Sequence, residues 1–155
     1  MTEHINRLLT DFGNALGLDG LSLDDSGYCC LGFDEVLVNI ESVGESALVL
    51  LYTTLGVLPA DAGREVYGRL LASNYFFKDT AGATIGLDEA TGAVAMTRVV
   101  DTAGMEVLDW EAAIKAFVDA AESCAALLQV PADPDADPDQ ALAHPAPSHT
   151  HMIRG

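Results

Sequence analysis

The side chains of this 155-residue sequence that could carry covalent chemistry are three cysteines, Cys29, Cys30 and Cys124, and four histidines. A thiol nucleophile needs a base within hydrogen-bond reach, with both groups held on rigid elements. His4 stands near the start of the first predicted helix, where we expect fraying, and the other histidines follow Pro131: His144, His149 and His151. We therefore expect no histidine-dependent active site. A small enzyme that uses Cys29 or Cys30 as its nucleophile is a minor alternative.

The sequence also lacks the patterns that are typical of metal and cofactor sites. Adjacent residues of a strand point to opposite faces, so Cys29 and Cys30 are poorly placed to bind one metal or to pair as a disulfide. Four alternating aspartates resemble part of a calcium loop: Asp133, Asp135, Asp137 and Asp139. Such a loop needs glycine at its sixth position, where this sequence has Pro138. The residues around Gly82 lack the lysine and the spacing of a phosphate-binding loop. We expect no cofactor and no metal.

The composition indicates one soluble acidic domain. Half of the residues are apolar, and 24 Asp and Glu against 7 Lys and Arg give a formal charge of −17. Nucleic acids and anionic lipids both require a basic surface, so we expect neither as a partner. No apolar run approaches the roughly 20 residues that cross a bilayer, and the first residues do not resemble a signal peptide. With an odd number of cysteines, the sequence predicts a protein of a reducing cytoplasm.

Hydrophobic periodicity predicts an α+β fold, with a twisted antiparallel sheet and three helices. Apolar residues at helical spacing predict helices over residues 3–16, 60–74 and 108–128. Runs of β-branched and other apolar residues between turn signals predict strands, at residues 21–23, 28–33, 36–41, 47–55, 83–87 and 93–100. The short loops between these strands favour antiparallel neighbours over parallel crossovers.

Pro131 marks the predicted end of the folded domain. Residues 131–155 contain several prolines, little apolar bulk and four acidic residues, a composition that predicts a disordered acidic tail. Residues 1–130 keep 20 acidic against 6 basic residues, a formal charge of −14. The acidity therefore belongs to the folded domain.

The run ALVLLY at residues 47–52 is apolar on both faces of its predicted strand. An antiparallel sheet usually keeps one face in water, and three short helices would have difficulty covering both faces. Either a helix covers each face, or a second copy or a protein ligand covers one of them. We favour an interface with another molecule.

The order of these elements resembles the class I type III secretion chaperones, the Tir-chaperone-like (CesT-type) family. The resemblance covers residues 3–130, and three stretches carry it: residues 8–33, 48–59 and 70–94. The third stretch contains LLASN at residues 70–74 and TIGLD at residues 84–88. In the family, a helix that ends in Leu-Leu-x-x-Asn precedes a Gly-Leu-Asp hairpin.

The resemblance implies a homodimer without catalysis that binds the N-terminal segment of a secreted effector in the bacterial cytoplasm. The effector would be held extended, kept soluble and presented to the secretion apparatus, whose ATPase would be a further partner. The second helix resembles the dimer element of the family, and the first helix with the early strands resembles its effector groove. The predicted dimer-interface residues are Val66, Tyr67, Leu70 and Asn74. The predicted effector-groove residues are Leu9, Phe12, Leu31, Phe33, Val36 and Val38.

Two further alternatives keep the fold and change the function. Some proteins with this chaperone fold sequester a protein that controls secretion genes, and the client, exported or cytosolic, distinguishes that role. A module that binds a small ligand in the concavity of the sheet is the other alternative.

Overall fold

Three helices and five strands form residues 2–129, the part of the chain that the computed structural model describes. The helices are α1 (Thr2–Ala15), α2 (Arg64–Asn74) and α3 (Val107–Ala126), and a short 3-10 turn, Tyr75–Phe77, follows α2. The strands are β1 (Tyr28–Phe33), β2 (Val36–Ser42), β3 (Leu48–Val57), β4 (Thr84–Leu87) and β5 (Ala93–Asp101). The predicted α+β fold with three helices is confirmed. The predicted tail, residues 131–155, lies outside the described residues.

All five strands form one antiparallel sheet in the order β1-β2-β3-β5-β4. The strands β1 and β4 are therefore the two edges. Because side chains alternate along a strand, Val49 and Leu51 of β3 point to the inner face and are buried, whereas Leu48 and Leu50 point to the outer face. The central strand thus presents apolar side chains on both faces.

Helices α1 and α3 cover the inner face of the sheet. The buried stripe of α3 repeats at helical spacing and packs against inner-face residues of β2 and β3. Its members are Trp110, Ile114, Phe117, Val118, Ala121 and Cys124. Leu108 is exposed, because at about 100° per residue it lies on the opposite side of α3 from this stripe. None of the helices within residues 2–129 has the length and apolar character needed to span a bilayer.

The segment that follows α1 is not a strand, so the prediction for residues 21–23 is wrong. The side-chain carbonyl Oδ1 of Asn6 accepts a hydrogen bond from the N–H of Leu23 at 2.9 Å. The hydroxyl of Thr10 donates to the carbonyl oxygen of Leu21 at 3.2 Å. Because side chains of α1 bond these backbone groups, the segment runs along the helix and joins no ladder. The side chain of Leu23 still reaches the core.

Helix α2 begins at Arg64, four residues later than predicted, and ends at Asn74. A turn precedes it, in which the N–H of Ala62 donates to the carbonyl oxygen of Pro59 at 2.9 Å. Val66 and Leu70 of α2 join the core beside Ile85 and Val94. The helix contacts β4 and therefore lies at that end of the sheet.

Candidate functional site

Two of the three thiols are buried, Cys29 and Cys124, and the ring of His4 is hydrogen-bonded. Burial raises the pKa of Cys29 and of Cys124, which keeps these two thiols protonated at neutral pH. The ring of His4 lies 2.6 Å, at Nε2, from the carbonyl oxygen of Thr102, and its Nδ1 lies 3.0 Å from the guanidinium of Arg7. His4 thus tethers α1 to the residue after β5. Within residues 2–129, no group of His, Cys, Asp and Glu is placed to hold a metal ion.

The outer face of the sheet is open and carries exposed apolar side chains. Leu37 of β2 is 60% exposed and Val99 of β5 is 58% exposed. Leu50 of β3 is half-buried between Val99 on one side and Glu41 on the other. The helices leave this face uncovered around Leu37 and Val99, so it is available to another molecule.

An edge strand borders this face. Gly27, the residue before β1, directs its backbone groups toward β2, since its carbonyl oxygen accepts from the N–H of Ser42 at 2.9 Å. Backbone direction alternates along a strand, so the N–H and C=O groups of Cys30 and Gly32 point away from β2. Among the described residues, β1 pairs with β2 alone. A row of backbone donors and acceptors is therefore open to an added strand.

The residues predicted for the dimer interface divide between the core and a surface groove. Val66 and Leu70 are buried within the protomer, whereas Tyr67 is 42% exposed. Leu71, which the predicted set omits, is 69% exposed. An apolar groove of about 230 Å³, the α2 groove, lies between α2 and β4. It is lined by Leu58, Tyr67, Leu70, Leu71, Asn74, Ile85, Gly86, Leu87 and Val94.

Three exposed aromatic residues, Tyr75, Phe76 and Phe77, follow this groove and form what we call the aromatic turn. The backbone of Phe76 (φ +49°) and Phe77 (φ +56°) is left-handed, a conformation that costs residues other than glycine roughly 1–3 kcal/mol. The rings of Tyr75 and Phe76 meet edge to face, with centroids 4.7 Å apart. In the sequence, the only sign of the aromatic turn is the run YFF directly after a predicted helix. Hydrophobic periodicity does not show that these side chains are exposed.

The residues predicted for the effector groove also divide. Five of them are buried in the core of the protomer, Leu9, Phe12, Leu31, Val36 and Val38, and Phe33 is half-buried. Phe12 and Phe33 line a cavity of about 190 Å³ between α1, α3 and the end of β1. The cavity has an apolar wall and a charged rim, and its other lining residues are Leu16, Glu111, Ile114, Lys115, Val118 and Asp119. Val36 lines a different cleft, where β2 and β3 meet the end of α3.

The chain matches the Tir chaperone protein (CesT) family over residues 7–125. It is 34% identical over 141 residues to the transcriptional anti-antiactivator ExsC of Pseudomonas aeruginosa, a match that covers 88% of this chain and 93% of ExsC. It is 29% identical over 96 residues to the protein CPj0713/CpB0740 of Chlamydia pneumoniae, with 61% of this chain and 73% of that protein covered.

Solved structures of type III secretion chaperones share the fold. The crystal structure of the ExsC–ExsE complex contains a chain that superposes with a TM-score of 0.67 at 32% identity, covering 83% of this chain and 96% of the other. A chain of the HopA1–SchA chaperone–effector complex superposes with a TM-score of 0.66 at 21% identity, covering 81% and 95%. This second similarity shows the common fold alone.

Proposed function

The chain belongs to the Tir chaperone protein (CesT) family, and on that premise we propose that it binds the N-terminal segment of a type III secreted effector in extended form and keeps it soluble and secretion-competent. The observation that carries this proposal is the open apolar face around Leu37 and Val99 beside the free edge of β1. An extended segment can add a strand to such an edge and lay alternate side chains on the neighbouring apolar surface.

Charge supports the same kind of client. Residues 1–130 carry a formal charge of −14, and Glu41 flanks the apolar face. Basic segments are attracted to such a surface, and the acidic residues keep the apolar face from driving aggregation.

The cavity at Phe12 and Phe33 offers a place for an apolar anchor of the same segment. The loaded chaperone would then engage the secretion apparatus, with its ATPase as a further partner.

We also propose that the functional unit is a homodimer formed through α2. A two-fold symmetric contact requires a surface that complements itself. The α2 groove supplies a hollow lined by Tyr67 and Leu71, and the aromatic turn beside it supplies projecting rings. Phe76 of one protomer inserted into the α2 groove of the other would bury these exposed side chains and offset the strain of its backbone.

Co-expression with the first 100 or so residues of each type III effector of the same bacterium tests the proposed function. We expect one such segment to be soluble only when it forms a complex with this chain, as judged by size-exclusion chromatography. The double variant Leu37→Glu, Val99→Glu should lose that complex, because charges at both positions disrupt apolar contact. The control Leu108→Glu, at an exposed position of α3 far from this face, should keep it. Failure of every segment to bind, or an intact complex with the double variant, would contradict the proposal.

A specific observation favours a second candidate, a regulatory chaperone. The chain is 34% identical to a transcriptional anti-antiactivator, and a related chain was solved as the ExsC–ExsE complex. In this alternative the client controls secretion genes. Fractionation of the client decides between the two: an exported client supports the effector chaperone, and a client retained in the cytosol that changes transcription supports the regulator.

A further inference from the structure

The ladder between β2 and β3 ends before the strands do. It joins residues 39–42 of β2 to residues 49–52 of β3, and Asn39–Tyr52 is its last pair. The Asn39 side chain donates from Nδ2 to the Tyr52 carbonyl oxygen at 3.1 Å and accepts from the Tyr28 hydroxyl at 2.7 Å. Strand β2 nevertheless begins at Val36, and β3 continues to Val57. The two strands therefore separate beyond this pair.

The backbone groups that would continue the ladder belong to Leu37 and Thr54, which are opposite in the same register. The N–H of Val43 donates to the carbonyl oxygen of Leu48 at 2.9 Å. Along each strand, alternate residues direct their N–H and C=O groups toward the same neighbour. Counted from Val43 and Leu48, Leu37 of β2 and Thr54 of β3 therefore both direct these groups into the gap between the strands. The described ladder does not pair them with each other, which leaves donors and acceptors of both strands facing an opening.

A cleft of about 460 Å³ lies beside this opening, with Val36 of β2 and Thr54 of β3 among its lining residues. Its volume is within the roughly 300–1,000 Å³ of clefts that bind small ligands. We call it the β2–β3 cleft. The end of α3 closes one side with small side chains, Ala125 and Ala126. Its charged lining residues are Glu35 and Glu122, both exposed, and no lysine or arginine is among the described lining residues.

We propose that the β2–β3 cleft binds a short extended polypeptide segment of the client in which lysine or arginine alternates with a compact apolar residue. This inference rests on the proposed function, since it assumes an extended client. The backbone groups of Thr54 and Leu37 can pair with an extended backbone. The two glutamates favour positively charged side chains, and the alanines of α3 leave room for a compact apolar side chain. The site differs from the β1 edge, so one client can occupy both.

Charge argues against the other candidate occupant, the chain's own continuation after residue 129. Gln129, the last of the described residues, lines the cleft. The next ten residues include four aspartates and no basic residue. Glu35 and Glu122 would repel that segment and attract a basic one.

Titration of the full ¹⁵N-labelled chain with the hexapeptide Lys-Val-Lys-Val-Lys-Val tests the inference by NMR. We expect amide shifts at Leu37 and Thr54, and binding weakened about tenfold or more when the lysines of the peptide are replaced by glutamate. A peptide with N-methylated valines should also bind less tightly, because it loses backbone donors. In the chain, Glu122→Lys should weaken binding. Glu45→Lys makes the same charge change in the turn between β2 and β3, at the other end of these strands, and should weaken binding far less.

A second pair of variants tests the shape of the cleft. Ala126→Phe fills it from an exposed position of α3, and Ala112→Phe places the same ring elsewhere on that helix. Three results would each overturn the inference. The first is amide shifts confined to Cys30 and Gly32, and the second is unchanged peptide binding by the Ala126→Phe variant. The third is a Thr54 amide that is already protected from exchange in the free chain. Protection that rises with protein concentration would assign the cleft to a second copy, and concentration-independent protection would assign it to residues 130–155. If the Ala126→Phe variant still solubilises the effector segment as well as the unaltered chain does, the proposed function stands without this site.

Discussion

The side chain of Asn74 bonds both backbone groups of Ile85, as a neighbouring strand would. Its Nδ2 donates to the carbonyl oxygen of Ile85 at 3.0 Å, and its Oδ1 accepts from the N–H of Ile85 at 2.8 Å. The end of α2 is thereby fixed to the edge strand β4. Because both residues line the α2 groove, this contact sets the width of the surface that we propose for the dimer.

The substitution Asn74→Ala should lower the free energy of unfolding by about 1–3 kcal/mol, because it leaves the backbone groups of the buried Ile85 without partners. Urea unfolding followed by circular dichroism measures the change. The control Asn14→Ala, at an exposed position of α1, should change the stability by no more than about 0.5 kcal/mol. Equal midpoints for the two variants would show that the Asn74 contact contributes nothing to stability.

The substitution Leu71→Asp should convert the proposed dimer to a folded monomer, because a buried, unpaired carboxylate is unfavourable at an apolar contact. Leu71 is exposed in the protomer, so the fold should survive, whereas Leu70 reaches the core and its replacement would disturb both fold and contact. Phe76→Asp should act in the same way. Light scattering gives the mass, and Leu108→Asp is the matched control. A dimeric Leu71→Asp variant would remove α2 from the interface.

Native alkylation should distinguish the three thiols. Cys30 is exposed, and burial both shields Cys29 and Cys124 and raises the pKa of their thiols. With dilute iodoacetamide at neutral pH we expect mass spectrometry to find one modified residue, Cys30, and three after denaturation. Rapid modification of Cys29 would instead support the enzyme alternative, since it would reveal an activated thiolate.

Asp24 should contribute to stability in a pH-dependent way. Its carboxylate accepts hydrogen bonds from the hydroxyl and N–H of Ser26 and from the N–H of Tyr28, and these bonds lower the pKa of Asp24. A carboxylate with a lowered pKa stabilises the fold above its unfolded pKa, about 3.9, and loses that contribution as the pH falls through the folded value.

The stability difference between the unaltered chain and Asp24→Asn should therefore be larger at pH 6 than at pH 3. Urea midpoints at the two pH values measure it. Asp25→Asn, at the neighbouring exposed aspartate, serves as the control. A stability difference of the same size at both pH values would show that the charge of Asp24 does not contribute to stability.

Helical and strand periodicity predicted the order of elements because burial repeats along each of them. Periodicity identifies the apolar residues of a helix, but the neighbouring elements decide which of them are covered. In α2, Val66 and Leu70 are buried, while Tyr67 and Leu71 are exposed. The segment 21–23 looked like a strand because Leu21 and Leu23 alternate with a polar residue. That pattern does not reveal that side chains of the preceding helix bond its backbone groups.

The candidate surfaces were harder to predict from the sequence. The aromatic turn depends on the left-handed backbone of Phe76 and Phe77, which residue type disfavours. The β2–β3 cleft depends on where a ladder stops, and apolar residues such as Val36 and Leu55 continue past that point without a break in pattern.

Protease protection of a co-expressed effector segment tests the central claim most directly. The complex, digested briefly and analysed by mass spectrometry, should contain a continuous protected stretch of roughly 50–100 effector residues, because an extended ligand buries a long run of chain. The same stretch should be digested when the Leu37→Glu, Val99→Glu variant replaces the unaltered chain. A bound effector protected only as a compact folded domain, or equal protection by the variant, would contradict the account.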